Sequence, residues 1–365
     1  MKKSSEVDFE IELETSLKSH PDFDQHEKVV FHNDANLQAI IAIHNTNLGP
    51  AAGGCRIYPY SSSQAALTDV LRLSRGMTYK SAMAGLPMGG GKSVIIADPL
   101  TDKNPRMLAA MGDFIDSFKG KYIAAEDSGS TVSDMMIMAK HTQYVSGFSD
   151  REQDAGDPSP VTALGVFYGI EEAVMHRYGR SLKGMRVAVQ GVGNVGINLV
   201  RLLKEAKAKV IVADANPQRV AEVVRQFKVD CCSIDKILST EVDVLAPCAL
   251  GGAINPESVS GLQTAIIAGA ANNQLANEEM GNELLKKGIL YAPDYVINCG
   301  GIIDIYHQRK GIRDSEEITK QLQIIRENLS NILVESDRTN RTTNEVADDL
   351  ARAKFQSKKI HNAAA

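Results

Sequence analysis

The chain has 365 residues, 43% hydrophobic and 23% charged, enough for two domains that each bury a core. A net charge of −5 without a basic stripe argues against nucleic acid or an anionic membrane as partner, and no run of about 18 apolar residues is present to span a bilayer. Five cysteines, Cys55, Cys231, Cys232, Cys248 and Cys299, are odd in number and lack metal-ligand spacing; they read as free thiols in a reducing cytoplasm, with no metal site.

Residues 1 to about 25 are polar and acidic, without the apolar core of a signal peptide, and read as an arm or a short helix. Lys28–His32 and Leu37–His44 read as paired strands. Asn47–Gly54 (NLGPAAGG) is expected to be a turn of small residues, open to close approach by a ligand or a strand. Leu67, Val70, Leu71, Ser74 and Met77 or Thr78 recur at helical spacing and predict a helix ending at Lys80. Gly89, Gly90 and Gly91 precede Lys92 and are expected to form a loop allowing close approach and positive φ, with a strand at Val94–Ala97 leaving it. Lys80 at a helix end and Lys92 at the mouth of a strand are two cations that together suit an anionic substrate.

Met107–Phe118 predicts an amphipathic helix. Tyr122–Ala125 predicts a short strand that delivers Glu126 and Asp127 at its C-terminal end, where α/β proteins place catalytic groups; Glu126 reads as a turn or capping acid. Ser130 or Thr131 can cap a helix over Val132–Lys140. The Pro-, Asp- and Gly-containing stretch from Gly147 to Pro160 looks like an interdomain hinge, and Thr162–Arg177 like the helix after it.

Arg186–Gln190 is an apolar run followed by Gly191-Val192-Gly193-Asn194-Val195-Gly196, a helix to Ala206, and the run Val210–Ala213 ending in Asp214. Strand, GxGxxG, helix, strand, acid is the dinucleotide-binding fingerprint in its confirming context. The glycines admit a pyrophosphate to the helix N-terminus, and Asp214 accepts from ribose hydroxyls. A carboxylate there repels a 2′-phosphate, so NAD is favoured over NADP. Val242–Ala246 and Ala265–Gly269 continue the βα rhythm, and Ile289–Ala292 and Tyr295–Asn298 read as further extended segments. Small and polar residues at successive strand ends, Asn272, Asn273 and Asn298 among them, describe a cleft along one sheet edge. Ile318, Leu322, Ile325, Leu329 and Ile332 predict an amphipathic helix over 316–335, its stripe directed back across the first domain.

The motifs GPAAGG, RGMTYK, GGGK, AED, PSPVTALG, GVGNVG, APCALGG, AGAANNQL and YAPDYVINCGG, in this order, resemble the amino-acid dehydrogenases of the glutamate, leucine, phenylalanine and valine superfamily, most closely the leucine enzymes. The resemblance implies an α/β fold of two domains with a cleft between them. The first would be an α/β substrate and oligomerisation domain over 1–147, joined by C-terminal helices from about 335 to 365. The second would be a Rossmann-type NAD-binding domain over 148–334. It implies that Lys80 holds the substrate carboxylate, Lys92 is the catalytic lysine and Asp127 its proton-shuttling partner. Asn298 would meet the substrate amino group, Thr162 the nicotinamide carboxamide. Gly191, Gly193, Asn194, Val195, Gly196 and Asp214 would form the dinucleotide site, with Cys248, Ala249 and Asn273 near the nicotinamide ribose. Gly53 and Gly54 would border the substrate, and Ala52, Met77, Ala125, Ile302 and Ile305 would line its side-chain pocket. The implied reaction converts an L-amino acid to a 2-oxo acid and ammonium, with no nucleic acid or membrane partner, in a cytoplasmic homo-oligomer. Glutamate enzymes carry a lysine where this chain has Ala52, so a second substrate carboxylate lacks its counter-charge. Ala52 also replaces the leucine of leucine enzymes and deepens the pocket; Ala125 matches the leucine type. Aliphatic substrates are expected, with a phenylalanine-type or broad-specificity enzyme as the alternative and an inactive dinucleotide-binding sensor as a remote one.

Overall fold

The computed structural model describes residues 17–147, 157–249, 251–312 and 314–356, which divide into two compact units. The described residues of the first lie within Met1–Gly156, Gln308–Gly311 and Arg352–Ala365, and those of the second within Asp157–His307 and Ile312–Ala351. The first unit thus also takes in Gln308–Gly311, and its last stretch begins at Arg352. Most of the expected N-terminal arm and hinge, 1–16 and 148–156, lies outside the described residues.

The first unit is built on a mixed sheet of β1 (Lys28–Asn33), β2 (Gln38–Asn45), β3 (Ala51–Tyr58), β4 (Gly89–Ile96) and β5 (Tyr122–Glu126), in the order β1-β2-β4-β3-β5. β2 runs antiparallel to β1 and β4, whereas β3 runs parallel to β4 and β5. Both faces are covered, so β2 reads as a continuous apolar run. Its Ile40 and Ala42 pack with Leu67, Val70 and Leu71 of the helix Ser63–Met83. Its Ile41 and Ile43 pack with Met107, Leu108, Met111 and Ile115 of the helix Pro105–Asp116 on the other face. Each such fully buried Ile or Leu is worth about 1.5–3 kcal/mol. Ser62 and Asn104 start the two helices, each accepting from backbone N–H groups of the first turn.

Three expectations in this unit are corrected. Gly89–Gly91 are part of β4 and buried, and none of the three has a positive φ. Their role is close approach alone. A Cβ on Gly90 would stand 2.1 Å from the Thr78 amide nitrogen, and one on Gly91 would stand 2.8 Å from the Tyr122 ring. Likewise Ala51–Gly54 are the first half of β3; only Gly49, with φ +145, makes the turn before it. The helix expected to stop at Lys80 continues to Met83.

The second unit carries a parallel sheet of β6 (Arg186–Gln190), β7 (Lys209–Ala213), β8 (Asp230–Cys231), β9 (Val242–Pro247), β10 (Thr264–Ile267) and β11 (Leu290–Tyr291), in the order β11-β10-β9-β6-β7-β8. Counted from β6 as the first strand, this is the doubly wound order 3-2-1-4-5-6. The glycine-rich turn therefore leaves the strand at which the winding reverses, where such sheets bind ligands.

Tyr295–Asn298 is not extended: Asp294–Ile297 is a helical turn after Pro293, and the buried Asp294 carboxylate accepts from the Gln274 amide at 2.9 Å. The helix Ser315–Thr339 buries the predicted stripe, Ile318, Leu322, Ile325, Leu329 and Ile332. It packs on elements of the second unit. Gly165 of the helix Ser159–Tyr178 leaves space for the Ile325 side chain, and Arg326 pairs with Glu171 and lies 4.2 Å over the Tyr168 ring. An amphipathic stripe reports a buried face, not the element that covers it.

Candidate active site

Lys92 sits in the middle of the central strand β4, and its side chain is only 7% exposed. Burying an ammonium is costly unless it is paired. The partner is Asp127, one residue beyond the end of β5, whose Oδ2 lies 2.6 Å from the Lys92 Nζ. Asp127 is fixed by its own turn. Its N–H donates to the Ser130 Oγ at 2.9 Å, and the Ser130 hydroxyl donates to its carbonyl at 3.0 Å. Gly129, with φ +81, allows the turn, and Thr131, not Ser130, caps the helix Val132–Met138 in a capping box with Asp134.

The space for the pair is made by Gly54 on the intervening strand β3. A Cβ there would stand 2.6 Å from the Asp127 Cβ and 3.1 Å from the Lys92 Nζ. Gly53 is pressed against the Gly91 carbonyl and the Met77 side chain. Lys80 follows Met77 by three residues, on the same side of its helix, and is half-buried. Ala52, buried, pairs with Gly90 and Ile123, and Ala125 pairs with Gly54. The first unit therefore brings Lys92, Asp127, Gly54 and Gly53 together, with Met77 against Gly53. Glu126 is exposed at the strand end.

A third charged group in this cluster is not apparent from motif spacing. The Arg56 Nε donates to the same Asp127 Oδ2 at 3.2 Å, and its NH1 donates to the Asp69 Oδ2 at 2.9 Å. The Tyr60 hydroxyl also donates to Asp69. The available signal was an arginine inside the otherwise apolar strand AAGGCRIY, two residues after Gly54 and so on its face. Burial pushes the Asp127 carboxyl up, but the Lys92 ammonium and then the Arg56 guanidinium outweigh it and hold the carboxyl below the ordinary carboxylate range.

In the second unit, Gly191 has φ +96, and a Cβ on it would stand 2.8 Å from the Ala249 amide nitrogen. A Cβ on Gly196 would stand 2.1 Å from the Gly191 carbonyl, which sets the close turn. Gly193 faces open space and heads the helix Asn194–Glu205 without a side-chain cap, so the N–H groups of Asn194 and Val195 are at the helix start for an anion. The Asp214 Oδ2 accepts from the Val192 amide at 2.8 Å, tying the end of β7 to the turn, and Oδ1 accepts from the Asn216 amide at 2.8 Å. Each oxygen keeps a further lone pair for a ribose hydroxyl. These features fit a dinucleotide.

Cys248 is half-buried; its backbone N–H donates to the Gln190 carbonyl at 2.7 Å, beside the turn, and Ala249 is exposed. Asn273 is exposed with φ +51, and its carbonyl accepts from the Gly252 amide at 2.7 Å. Asn298 is 5% exposed, and its Nδ2 donates to the Ala270 carbonyl at 3.1 Å and to the Asn272 Oδ1 at 2.9 Å. Its Oδ1 is buried with no protein partner, so an acceptor is held ready for a ligand N–H. Thr162 donates to the Pro158 carbonyl at 2.9 Å and lies against Gly301, where a Cβ would stand 2.7 Å from its hydroxyl. Ile302 and Ile305, half-buried, share one face of the helix Gly300–Arg309.

Comparison with known proteins gives concordant matches. The model of the Glu/Leu/Phe/Val dehydrogenase dimerisation domain matches residues 26–144, and that of the glutamate/leucine/phenylalanine/valine dehydrogenases matches 157–217 and 213–361. The chain is 47% identical to the L-tryptophan dehydrogenase of Nostoc punctiforme, over 92% of this chain and 94% of that one. It is 46% identical to the leucine dehydrogenase of Geobacillus stearothermophilus, over 91% of each. The crystal structure of L-tryptophan dehydrogenase from Nostoc punctiforme superposes with a TM-score of 0.82 at 45% identity, covering 95% of this chain and 99% of that one.

Proposed function

The chain belongs to the glutamate, leucine, phenylalanine and valine dehydrogenase family and is an amino-acid dehydrogenase; from that premise we propose that it deaminates aliphatic L-amino acids (leucine, valine, isoleucine) with NAD, and runs the reverse reductive amination. The balanced reaction is L-amino acid, NAD⁺ and water giving 2-oxo acid, ammonium, NADH and a proton.

The observation that carries this reading is the buried Lys92–Asp127 contact of 2.6 Å in the gap left by Gly54. Lys80 holds the substrate carboxylate as a point charge. The Asn298 Oδ1 accepts from the substrate amino group. NAD, when bound, would supply the hydride acceptor; Thr162 would hold its carboxamide, and Cys248, Ala249 and Asn273 would flank its ribose. Lys92 hydrogen-bonds the water that attacks the oxidised carbon, and the proton which that water gives up passes by way of Lys92 to Asp127. Asp127 is suited to the relay because its flanking cations keep it ionised until the proton arrives. Asp214 favours NAD by repelling a 2′-phosphate. Met77 and Ala125 offer apolar surface to the substrate side chain, and Ala52 leaves a dicarboxylate without a counter-cation.

A second reading is an enzyme for larger, aromatic side chains. Two observations favour it: Ala52 is small, and one of the relatives is named L-tryptophan dehydrogenase. NADH formation from leucine, valine, isoleucine, phenylalanine, tryptophan and glutamate, with NAD and with NADP, decides between them. The first reading expects the highest kcat/KM on a branched aliphatic substrate with NAD; glutamate as best substrate would contradict both. The match to a dimerisation domain supports a homo-oligomer. None of the described helices is long and apolar enough to cross a membrane, and none of the described cysteines is joined in a disulfide.

A further inference from the structure

We propose that Arg56 is the positioning residue of this site: its guanidinium bridges Asp127 and Asp69 and so holds the Asp127 carboxylate, ionised, against Lys92. The proposal rests on the reading of Lys92 and Asp127 as the proton-transfer pair. Neither carboxylate partner of Arg56 is adjacent to it in sequence. Asp127 follows β5 and Asp69 lies on the helix Ser63–Met83, so the guanidinium ties the strand end to the helix. A guanidinium is planar, and fixing two of its nitrogens on two carboxylates fixes the third group's orientation as well. Asp69 is anchored in turn by the Tyr60 hydroxyl.

The charges alternate along the row Lys92, Asp127, Arg56, Asp69, with two cations for two carboxylates. The surroundings add few competitors. Lys92 comes from β4 and Arg56 from β3; the helix Ser63–Met83 contributes Asp69 and also carries Lys80; Glu126 precedes Asp127 and is exposed. On the next helix Asp134 is already paired with Lys103 at 2.8 Å. Burial pushes the Cys55 thiol up to about 12 and the Tyr122 phenol well above its ordinary value, so both are neutral neighbours. Removing Arg56 would leave two carboxylates to one ammonium, and like charges that lose a counter-cation take up protons more readily. Gly54 and Arg56 thus divide the work on one face of β3: one leaves space for the pair, the other fills the flank and orients the acid.

The test uses full-length R56Q, R56K and D69N. Turnover is measured against pH with the best amino acid. Without substrate, the Asp127 carboxyl is titrated by isotope-edited infrared difference between R56Q and R56Q/D127N, against wild type and D127N. R56Q is expected to lose roughly tenfold to a hundredfold in kcat, with a smaller change in KM. The acid limb of its pH profile and its Asp127 titration should both move to higher pH. R56K should restore the acid limb more fully than turnover, because it returns the charge without the two-edged bridge. D69N removes a carboxylate and leaves both cations, so its kcat should fall between R56Q and wild type while its acid limb does not move to higher pH. An R56Q protein with an unmoved acid limb and an unmoved Asp127 titration would overturn the proposal, even if its melting temperature fell. Should R56Q fail to fold, R56K and D69N carry the test through kcat, and wild-type turnover in both would overturn the proposal. A wild-type enzyme inactive on every amino acid would overturn the functional reading instead, while the infrared titration would still decide the role of Arg56.

Discussion

A Cβ on Gly54 would stand 2.6 Å from the Asp127 Cβ, and the absence of that carbon is what lets Lys92 reach the carboxylate. The overlap is with the root of the side chain, so rotation cannot relieve it. Gly54→Ala is expected to displace Asp127 and lower stability by about 1–3 kcal/mol, the usual cost of overpacking. It should also lower kcat by more than its effect on melting temperature would suggest. Thermal melts and NADH formation on the same preparation check both.

The stability of the first unit should depend on pH through a buried histidine. His26 is 7% exposed, and its Nε2 contacts the Ser74 Oγ at 2.9 Å and the Leu71 carbonyl at 3.2 Å. Its ring lies 4.9 Å from that of His44, with Asp24 and Arg75 the nearby charges. Burial, then repulsion by His44, pulls His26 down from 6.5 to about 4. Between these values the unfolded chain binds the proton and the folded chain does not, so stability rises with pH across the window. About 3 kcal/mol should be lost as pH falls from above 6.5 to 4. Asp127 acts in the same direction at lower pH, because its stabilisation is present above the unfolded carboxylate value and lost as pH falls through the depressed folded one. Urea midpoints from pH 4 to 7 should slope upward in wild type and flatten in His26→Gln.

Ala52 is buried on β3 beside the Gly53–Gly54 step. Ala52→Leu should fill the pocket and shift preference toward smaller aliphatic substrates. A few methylenes discriminate by about 1–3 kcal/mol each at most, so kcat/KM for phenylalanine relative to valine should fall roughly tenfold to two-hundredfold. An unchanged ratio would remove Ala52 from the specificity wall.

Asp214 accepts from the Val192 amide at 2.8 Å and is the residue proposed to bind the ribose. Asp214→Asn should raise the KM for NAD and narrow its preference over NADP by roughly tenfold, about 1.4 kcal/mol. Steady-state kinetics with both cofactors measure it.

Much of the second unit was legible because its signals are local. GVGNVG follows β6, opens a helix and is answered by Asp214 at the end of β7, all within one βαβ stretch. The apolar stripe of Ser315–Thr339 was equally plain. Illegible were the features decided by residues distant in sequence. Whether Gly89–Gly91 form a loop or a strand depends on Thr78 and Tyr122 pressing on them, and composition alone does not carry that contact. The covering partner of an amphipathic helix, the helical turn after Pro293 and the role of Arg56 belong to the same class: each depends on which element packs alongside.

The most direct measurement is NADH formation by Lys92→Ala with the best amino acid and NAD, on protein whose circular dichroism matches wild type. A paired acid–base group contributes about 10²–10⁴-fold, so turnover should fall at least a hundredfold while the dinucleotide still binds. A folded Lys92→Ala enzyme retaining turnover within a few-fold of wild type would contradict the assignment of proton transfer to Lys92 and Asp127.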